Sequence, residues 1–360
     1  MQSTNQTDLV SEDESLCDPD DEYKHGIYTV VYSLVFVIGL ITNLTALYVF
    51  CRKVKRKSVG TVCLLNLAAA DILFILTLPF RISYYHSGAS WSFGDVLCRI
   101  SVCAFYISMS ASIFFLTVFS VVRYVSLIRS HVVTVKKVIF ICVFVWIVAT
   151  IGNSPFILSG TFVRDNVTRC FEPSGLTSWT RIMYMNYVAL ILGFSAPFAA
   201  ILISNGLLLK HITQHTLKKE KVKKHITMIV LVLLVFCVCF LPYHIQRTLH
   251  LHYLVHHRTD CGIHKMLQKT VVVTLCLAVA NSCLDPLLYV FLGQGFNSCF
   301  RQLSGKIKQS SQSSSSGSKN GAEVFTTAID LNFEMTSLSA EEKDDLRNAP
   351  DVPLSNAEVQ

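Results

Sequence analysis

Seven long runs of mainly apolar residues alternate with short polar segments along the chain. They lie near residues 27–51, 59–85, 96–128, 136–158, 184–210, 224–254 and 266–292. Each run is longer than the about 20 apolar residues that a helix needs to cross the hydrocarbon core of a bilayer. The pattern therefore predicts an all-α membrane protein, a seven-transmembrane helix bundle.

The distribution of charge predicts how these helices are oriented. Most basic loop residues follow the first, third, fifth and seventh runs, whereas the first 26 residues are rich in Asp and Glu. Lys and Arg are retained on the cytoplasmic side of membranes, so we expect a multi-pass plasma-membrane protein with its N-terminus outside. We also expect the first run to act as an uncleaved signal anchor, because no cleavable leader pattern precedes it.

Composition supports a membrane protein over a soluble one. The 360 residues are 52% hydrophobic and 15% charged, whereas soluble domains carry about 25% charged residues. The formal net charge of +7 lies mostly in short loops, which indicates membrane orientation rather than nucleic-acid binding. The sequence also has no nucleophile elbow, phosphate loop or metalloprotease helix, so we do not expect an enzyme.

Both ends of the chain have the composition of disordered tails. Residues 1–26 form an acidic N-tail, and residues 309–360 form a Ser-rich and acidic C-tail. We expect the C-tail to be cytoplasmic and to recruit arrestin when phosphorylated, and the alternative is an inert solubilising tail. Asn5 and Asn166 begin Asn-X-Thr motifs on the outer side and are candidate glycosylation sites.

A short amphipathic helix is predicted at residues 295–308, between the last run and the C-tail. Phe296, Phe300, Leu303 and Ile307 recur there at helical spacing. This favours a helix on the inner membrane surface. Cys299 lies beside the apolar face and is a candidate for palmitoylation, with a packed thiol as the alternative.

Four of the thirteen cysteines lie on the predicted outer side, at Cys17, Cys98, Cys170 and Cys261. Oxidising conditions there allow two disulfides with three possible connectivities. A structural zinc site would require the outer histidines, but no cysteine spacing supports one. We therefore interpret these histidines as polar residues at the rim of the bundle: His250, His252, His256 and His257.

Acidic residues inside two runs predict a cation or water site near the membrane midplane. Asp71 and Asp285 are costly there without partners, and Ser112 and Asn281 lie at similar depth. These oxygen ligands suit a hard cation, so we expect a sodium ion or water cluster with Asp71 as a metal ligand. The alternative is a structural network of protonated acids and amides. No other cofactor is expected.

Two arginines near the outer ends of their helices predict an anion site. Arg81 and Arg247 each lie close to a proline, in the outer third of the second and sixth runs. Arginine binds carboxylates through two parallel hydrogen bonds, and this interaction is strong in a partly dry site. Snorkelling towards the headgroups, or pairing with an outer acid, is the alternative. Together with nearby polar and aromatic side chains, the predicted ligand-binding set is Arg81, Tyr106, Tyr243, Arg247 and Gln268.

Motifs in several runs resemble the rhodopsin-like G-protein-coupled receptors. The matching segments include Asn66 to Asp71, Arg123-Tyr124, Cys239 to Pro242 and Asp285 to Tyr289. Within that family, further segments resemble cysteinyl leukotriene receptors, namely Thr77 to Arg81, Cys170 to Pro173 and Pro242 to His252. The resemblance covers about residues 17–307 and leaves both tails unexplained.

This resemblance implies a receptor for an extracellular anionic lipid of the cysteinyl leukotriene type. It also implies a heterotrimeric G protein of the Gq class as the inner partner, with calcium as the signal. It selects the disulfides Cys98–Cys170 and Cys17–Cys261. Its activation switch falls on Val122, Arg123, Asn205, Phe236, Pro242 and Tyr289.

Two residues of that switch depart from the family pattern. Val122 stands where an acid usually precedes the arginine, and Asn205 stands where a tyrosine is usual. We therefore expect the resting contacts of Arg123 to come from elsewhere and basal activity to be raised. A nucleotide receptor, a receptor for another lipid mediator and a decoy receptor with weak G-protein coupling remain alternatives. A transporter is disfavoured because no internal repeat is present.

Overall fold

The computed structural model describes residues 22–53, 58–129, 131–158, 160–164, 166–172, 176–214, 219–257 and 260–292. Seven helical segments within these ranges are long and apolar enough to cross a membrane, which confirms the predicted bundle. They are span 1 Glu22–Arg52, span 2 Val59–His86, span 3 Gly94–Ile128, span 4 Val135–Leu158, span 5 Leu176–Gln214, span 6 Lys219–His256 and span 7 Cys261–Tyr289.

Most of each span is regular α-helix. The α-helical segments are Glu22–Tyr48, Val59–His86, Gly94–Ile128, Val135–Asn153, Leu176–Val188, Ala196–Gln214, Lys219–Leu234, Leu241–His256, Cys261–Val279 and Asn281–Leu292. Ser154–Leu158 ends span 4 as a 3₁₀ turn.

Three spans contain wider π-helical segments, Val49–Lys53, Ala189–Ser195 and Val235–Phe240. The last two end just before Pro197 and Pro242. A proline lacks the backbone N–H and clashes with the preceding turn, and a π segment relieves that clash. Both segments therefore lie next to a proline, where the regular hydrogen bonding of the helix is interrupted.

A short hairpin and a disulfide mark one end of the bundle, which we call the outer end. Phe162–Arg164 pairs antiparallel with Val167–Arg169, and Phe162 lies opposite Arg169. Asn166 lies in the turn with φ of 59°, a left-handed conformation that asparagine tolerates. The next residue after the hairpin, Cys170, is bonded to Cys98 at the start of span 3, as predicted.

The buried side chains form two large clusters. The outer cluster includes Tyr32, Tyr84, Trp91, Phe105 and Tyr243. The inner cluster is dominated by aliphatic residues and includes Phe115, Phe119, Phe236 and Tyr289. Large apolar side chains on the opposite faces of spans 1, 4 and 5 are exposed, as expected for surfaces that contact lipid.

Several predicted boundaries need correction. Residues 22–26 were predicted to belong to the disordered N-tail, but span 1 begins at Glu22, whose carboxylate lies in the first turn and favours the positive end of the helix dipole. Spans 5, 6 and 7 begin earlier than residues 184, 224 and 266, because polar residues continue the helices beyond their apolar runs. The predicted helix 295–308, Cys299 and the C-tail lie outside the described residues.

Candidate functional site

Arg81 is buried among aromatic rings in span 2. Its side chain is 5% exposed, and its Nε has no hydrogen-bond partner. The guanidinium carbon lies 3.7 Å from the ring centre of Phe105 and 4.3 Å from that of Phe171. Cation–π contacts of this kind stabilise the charge by about 0.5–2 kcal/mol. They leave the planar fork without an acceptor, and the deep burial argues against snorkelling.

Arg247 lies in span 6 against two tyrosines. Its Nη2 donates a hydrogen bond of 3.2 Å to the hydroxyl of Tyr106 in span 3. Its guanidinium carbon is 5.6 Å from the ring centre of Tyr106 and 5.8 Å from that of Tyr243. A neutral phenol satisfies only one of the five guanidinium donors and does not neutralise the charge.

The surroundings of the two arginines are joined through span 3 and span 6. The rings of Phe105 and Tyr106 are 5.4 Å apart, and each of them contacts one of the arginines. Tyr243 is buried, and its ring centre lies 5.8 Å from the guanidinium carbon of Arg247. We call Arg81, Phe105, Tyr106, Phe171, Tyr243 and Arg247 the two-arginine site.

No described acid neutralises this site. The ion pairs among the described residues are Lys24 with Glu172 at 3.4 Å and Arg99 with Asp95 at 2.6 Å, and neither involves Arg81 or Arg247. This rules out, within the part of the chain described, the alternative in which an outer acid pairs with the arginines. The predicted Gln268 is partly buried in the outer half of span 7.

Two buried acids inside the spans, Asp71 and Asp285, and the polar side chains beside them make up what we call the acid cluster. Ser112 donates a hydrogen bond of 3.2 Å to Asp71 Oδ1, and the Tyr289 hydroxyl donates one of 3.5 Å to Asp71 Oδ2. Asn281 Nδ2 lies 3.4 Å from Asp285 Oδ2, whereas Asp285 Oδ1 is buried without a partner. Both acids are almost completely buried. Two carboxylates and a hydroxyl supply oxygen ligands, and one carboxylate oxygen is unsatisfied. Such a set of groups suits a hard cation or ordered water.

At the inner end of the bundle, Arg123 contacts span 6. Its Nη2 donates a hydrogen bond of 3.2 Å to the backbone carbonyl of His225, and its guanidinium lies 5.3 Å from the ring centre of Phe119. Nε and Nη1 have no partner. Arg123 therefore contacts a backbone carbonyl of span 6 where the family pattern has an acid. This contact leaves the other guanidinium nitrogens unsatisfied.

Three other switch residues, Val122, Asn205 and Phe236, are buried. Val122 and Asn205 are 5% and 2% exposed, and both polar atoms of the Asn205 amide lack partners. Phe236 is fully buried and stacks on Phe198 at 5.9 Å and Phe194 at 6.2 Å. Pro242 follows the π segment of span 6. The unsatisfied amide of Asn205 indicates that this conformation does not use its hydrogen-bonding groups.

Residues 42–289 match the model of the 7 transmembrane receptor (rhodopsin family). The chain belongs to this family. It is a G-protein-coupled receptor and a multi-pass membrane protein, and it is not an enzyme. Receptors of this kind have a ligand and a G protein as partners. The match ends at Tyr289, so it includes all the residues of the acid cluster.

Several lipid-mediator receptors are similar to this receptor over most of its length. Cysteinyl leukotriene receptor 1 of Mus musculus is 38% identical over 287 residues, which cover 78% of this chain and 82% of the relative. Cysteinyl leukotriene receptor 2 of Sus scrofa is 39% identical over 285 residues, 77% and 81% of the two chains. Lysophosphatidic acid receptor 6 of Gallus gallus is 38% identical over 292 residues, 77% and 93%.

The structure adds contacts of residues that the sequence named only within family-like motifs, or did not name at all. The ring of Phe171 covers one face of the Arg81 guanidinium. Its sequence position could have indicated this contact, because it follows Cys170, which the disulfide fixes against span 3. Asn43 accepts a hydrogen bond of 3.4 Å from Tyr289 and extends the acid cluster to span 1. The His225 carbonyl carried no signal, because a backbone acceptor does not appear in a side-chain pattern.

The second predicted disulfide and the two predicted glycosylation sites lie only partly within the described residues. Cys261 is disulfide-bonded, while Cys17, its predicted partner, lies outside the described residues. Asn166 is exposed in the hairpin turn, and Asn5 lies outside the described residues. Glycosylation at both asparagines stays a prediction.

Proposed function

We propose that this receptor binds an anionic lipid mediator of the cysteinyl leukotriene class at the two-arginine site and signals through a Gq-type G protein and calcium. The observation that carries the proposal is the pair of largely buried guanidinium groups, neither of which has an acidic partner in the described chain. Removing a cation from water costs several kcal/mol unless an anion compensates. A ligand with carboxylate groups supplies that compensation.

The remaining surface of the site suits an amphipathic ligand. Phe105, Phe171 and Tyr243 surround the charges with apolar rings, so a carboxylate bound there would lie beside surface that also accepts an acyl chain. Relatives named as cysteinyl leukotriene receptors at 36–39% identity support this ligand class. The predicted orientation, with the N-terminus outside the plasma membrane, places the site on the extracellular side.

The test is radioligand binding of a cysteinyl leukotriene to Arg81→Ala and Arg247→Ala. Loss of one partner from a desolvated charged pair costs about 2–5 kcal/mol, which weakens binding by roughly thirtyfold to several-thousandfold. Lys at either position should restore only part of the affinity, because an ammonium cannot form the bidentate fork. Arg181→Ala is the matched control, since Arg181 is an exposed arginine at the outer end of span 5.

Unchanged affinity in both alanine variants, at normal surface expression, would remove the anion-site argument. Tyr106→Phe provides a finer measurement, because it deletes only the hydroxyl that accepts from Arg247. We expect a decrease of no more than about tenfold, the size of one neutral hydrogen bond.

A receptor for a lysophospholipid is the second candidate. The Gallus gallus relative named for lysophosphatidic acid is as similar as the leukotriene receptors, and a phosphate monoester also pairs with arginine. Calcium release in transfected cells, measured across cysteinyl leukotrienes, lysophosphatidic acid and nucleotides, discriminates these ligands. The same calcium measurement with and without a Gq inhibitor tests the coupling. The absence of a calcium response to every ligand would favour a decoy receptor.

We also propose that Asp71, Ser112, Asn281 and Asp285 hold a sodium ion with ordered water. The unpartnered Asp285 Oδ1 and the oxygen-rich surroundings of Asp71 support this. A bound cation would offset the repulsion between two nearby buried carboxylates. Arrestin recruitment by the C-tail and palmitoylation of Cys299 remain proposals from the sequence.

A further inference from the structure

A group of histidines lies at the outer end of span 6, beyond the two-arginine site. His252 and His256 are one helical turn apart, and their ring centres are separated by 4.6 Å. The ring centre of His257 is 6.2 Å from that of His252. The hydroxyl of Tyr187 in span 5 lies 2.8 Å from His252 Nδ1. None of these side chains contacts Arg81 or Arg247 in the described hydrogen bonds and ring contacts.

The hydrogen bond of His256 determines which ring nitrogen is available. His256 Nδ1 lies 3.1 Å from the backbone carbonyl oxygen of His252. A carbonyl can only accept, so Nδ1 carries the proton in this bond and Nε2 of the neutral ring keeps its lone pair. Metal-binding histidines usually donate their second ring N–H to a carbonyl or similar acceptor in this manner. His256 is exposed, so its Nε2 is open to an ion from solution.

His252 is oriented in a similar way by a neighbouring helix. When the Tyr187 oxygen accepts from His252 Nδ1, the Nε2 of His252 also carries a lone pair. Side chains at positions i and i+4 share one face of a helix, and two histidines at this spacing are a known way to bind zinc. Two imidazoles that share a zinc ion at about 2.0–2.1 Å have ring centres roughly 5 Å apart. The observed separation of 4.6 Å is close to that value, but the two rings are stacked with 25° between their planes, so one imidazole must rotate about its side-chain bonds before both Nε2 atoms face the same ion.

We propose that His252 and His256 form an outer binding site for a divalent transition-metal ion, for which Zn²⁺ is the probe, with Tyr187 as a positioning residue. Imidazole ligands suit Zn²⁺, Cu²⁺ and Ni²⁺ rather than Mg²⁺ or Ca²⁺. In the described ranges, no group of three or more His, Cys, Asp or Glu side chains is arranged to hold a metal ion. In this proposal water fills the remaining coordination positions, as in an exchangeable site rather than a structural one.

The site would act on the conformation of the outer bundle. An ion held by His252 and His256 fixes one turn at the end of span 6, and Tyr187 connects that turn to span 5. The ion would therefore stabilise the arrangement in which these two spans are joined at their outer ends. This action does not depend on the identity of the ligand at the two-arginine site.

The test uses the full-length receptor in nanodiscs, purified through a tag without histidine. Zn²⁺ should raise the thermal unfolding midpoint in a concentration-dependent way, and Mg²⁺ should not. His252→Ala and His256→Ala should each lose this rise. His86→Ala is the matched control and should retain it, because His86 is an exposed histidine at the outer end of span 2.

Two further measurements test the metal site even if an alanine variant folds poorly. Tyr187→Phe retains both imidazoles and should weaken Zn²⁺ binding by about tenfold or more, the usual effect of losing an orienting partner. Electron paramagnetic resonance of bound Cu²⁺ should show two imidazole nitrogens in the unmodified receptor and fewer in His256→Gln. A Zn²⁺ response that survives both alanine substitutions, or an unchanged Cu²⁺ spectrum in His256→Gln, would overturn the proposal.

Discussion

At the scale of one residue, Asp285 has a carboxylate oxygen that no described residue satisfies. One of its carboxylate oxygens is 3.4 Å from Asn281, and the other is buried with no hydrogen-bond donor. Asp71, in contrast, accepts bonds from Ser112 and Tyr289. A buried polar atom without a partner costs about 1–3 kcal/mol, and more when the group is charged. An ion or water bound beside Asp285, as proposed above, would remove this cost.

We predict that agonist affinity depends on sodium through these residues. If the cluster holds Na⁺ in only one of two receptor conformations, agonist affinity should differ between sodium chloride and N-methylglucamine chloride at equal ionic strength. Coupling of this kind is typically about fivefold or greater. Asp71→Asn removes a carboxylate at similar volume and should abolish the difference. Equal affinities in the two salts for the unmodified receptor would leave a structural hydrogen-bond network as the explanation.

At the scale of elements, the loop between spans 4 and 5 builds part of the two-arginine site. The hairpin Phe162–Arg169 leads directly into Cys170, and the disulfide anchors this loop to the first turn of span 3. Trp91 adds a backbone hydrogen bond of 2.9 Å to the carbonyl of Thr168. As a result Phe171, with φ of 66°, is held over Arg81. A loop residue thus becomes a fixed part of the two-arginine site.

Removing this disulfide should reduce both stability and ligand affinity. Cys98→Ser and Cys170→Ser are each expected to cost about 2–5 kcal/mol of folding free energy, because the crosslink no longer restricts the unfolded chain. The double variant should be no worse than either single variant, since all three lack the same bond. Thermal unfolding and leukotriene binding measure the two effects. Cys51→Ser, which alters an exposed free thiol, is the control and should change neither.

How far the sequence predicts these elements depends on which atoms make the contacts. Apolar runs were sufficient to place seven spans, because hydrocarbon admits only helices whose backbone bonds are satisfied internally. The same pattern missed residues 22–26 and 176–183, since a helix that continues into the polar interface carries no apolar signal. Arg81 and Asp71 stood out because charge is rare in a span. Phe171 and the carbonyl of His225 did not, because their roles depend on tertiary packing.

The topology of the whole molecule can be tested through glycosylation. Asn166 is exposed in the turn of the outer hairpin, and Thr168 completes its acceptor motif. If the N-terminus is outside, this loop enters the lumen during synthesis and should be modified. Asn166→Gln should increase gel mobility, and enzymatic deglycosylation should bring both proteins to the same position. Thr168→Ala destroys the motif separately and should behave in the same way. Identical mobility of Asn166→Gln and the unmodified chain would contradict this use of Asn166.

At the scale of the whole molecule, basal signalling depends on the balance between two conformations of the bundle. In the conformation described here, Arg123 joins span 3 to span 6 by a single hydrogen bond to the His225 carbonyl. Two of its guanidinium nitrogens are unsatisfied, and the residue before it is Val122 rather than an acid. A weakly held arginine lowers the free-energy cost of leaving this conformation, so we expect measurable basal signalling.

Val122→Asp should lower that basal signalling. A carboxylate beside Arg123 can accept from the unsatisfied nitrogens, and a charged hydrogen bond contributes about 1.5–3 kcal/mol. Applied to one conformation only, this changes the ratio of the two populations by roughly tenfold to a hundredfold. Val122→Asn separates charge from polarity and should have a much smaller effect. Ligand-free inositol phosphate accumulation, normalised to surface expression, measures the outcome. Basal output equal to that of the unmodified receptor would show that the resting state does not depend on how Arg123 is held.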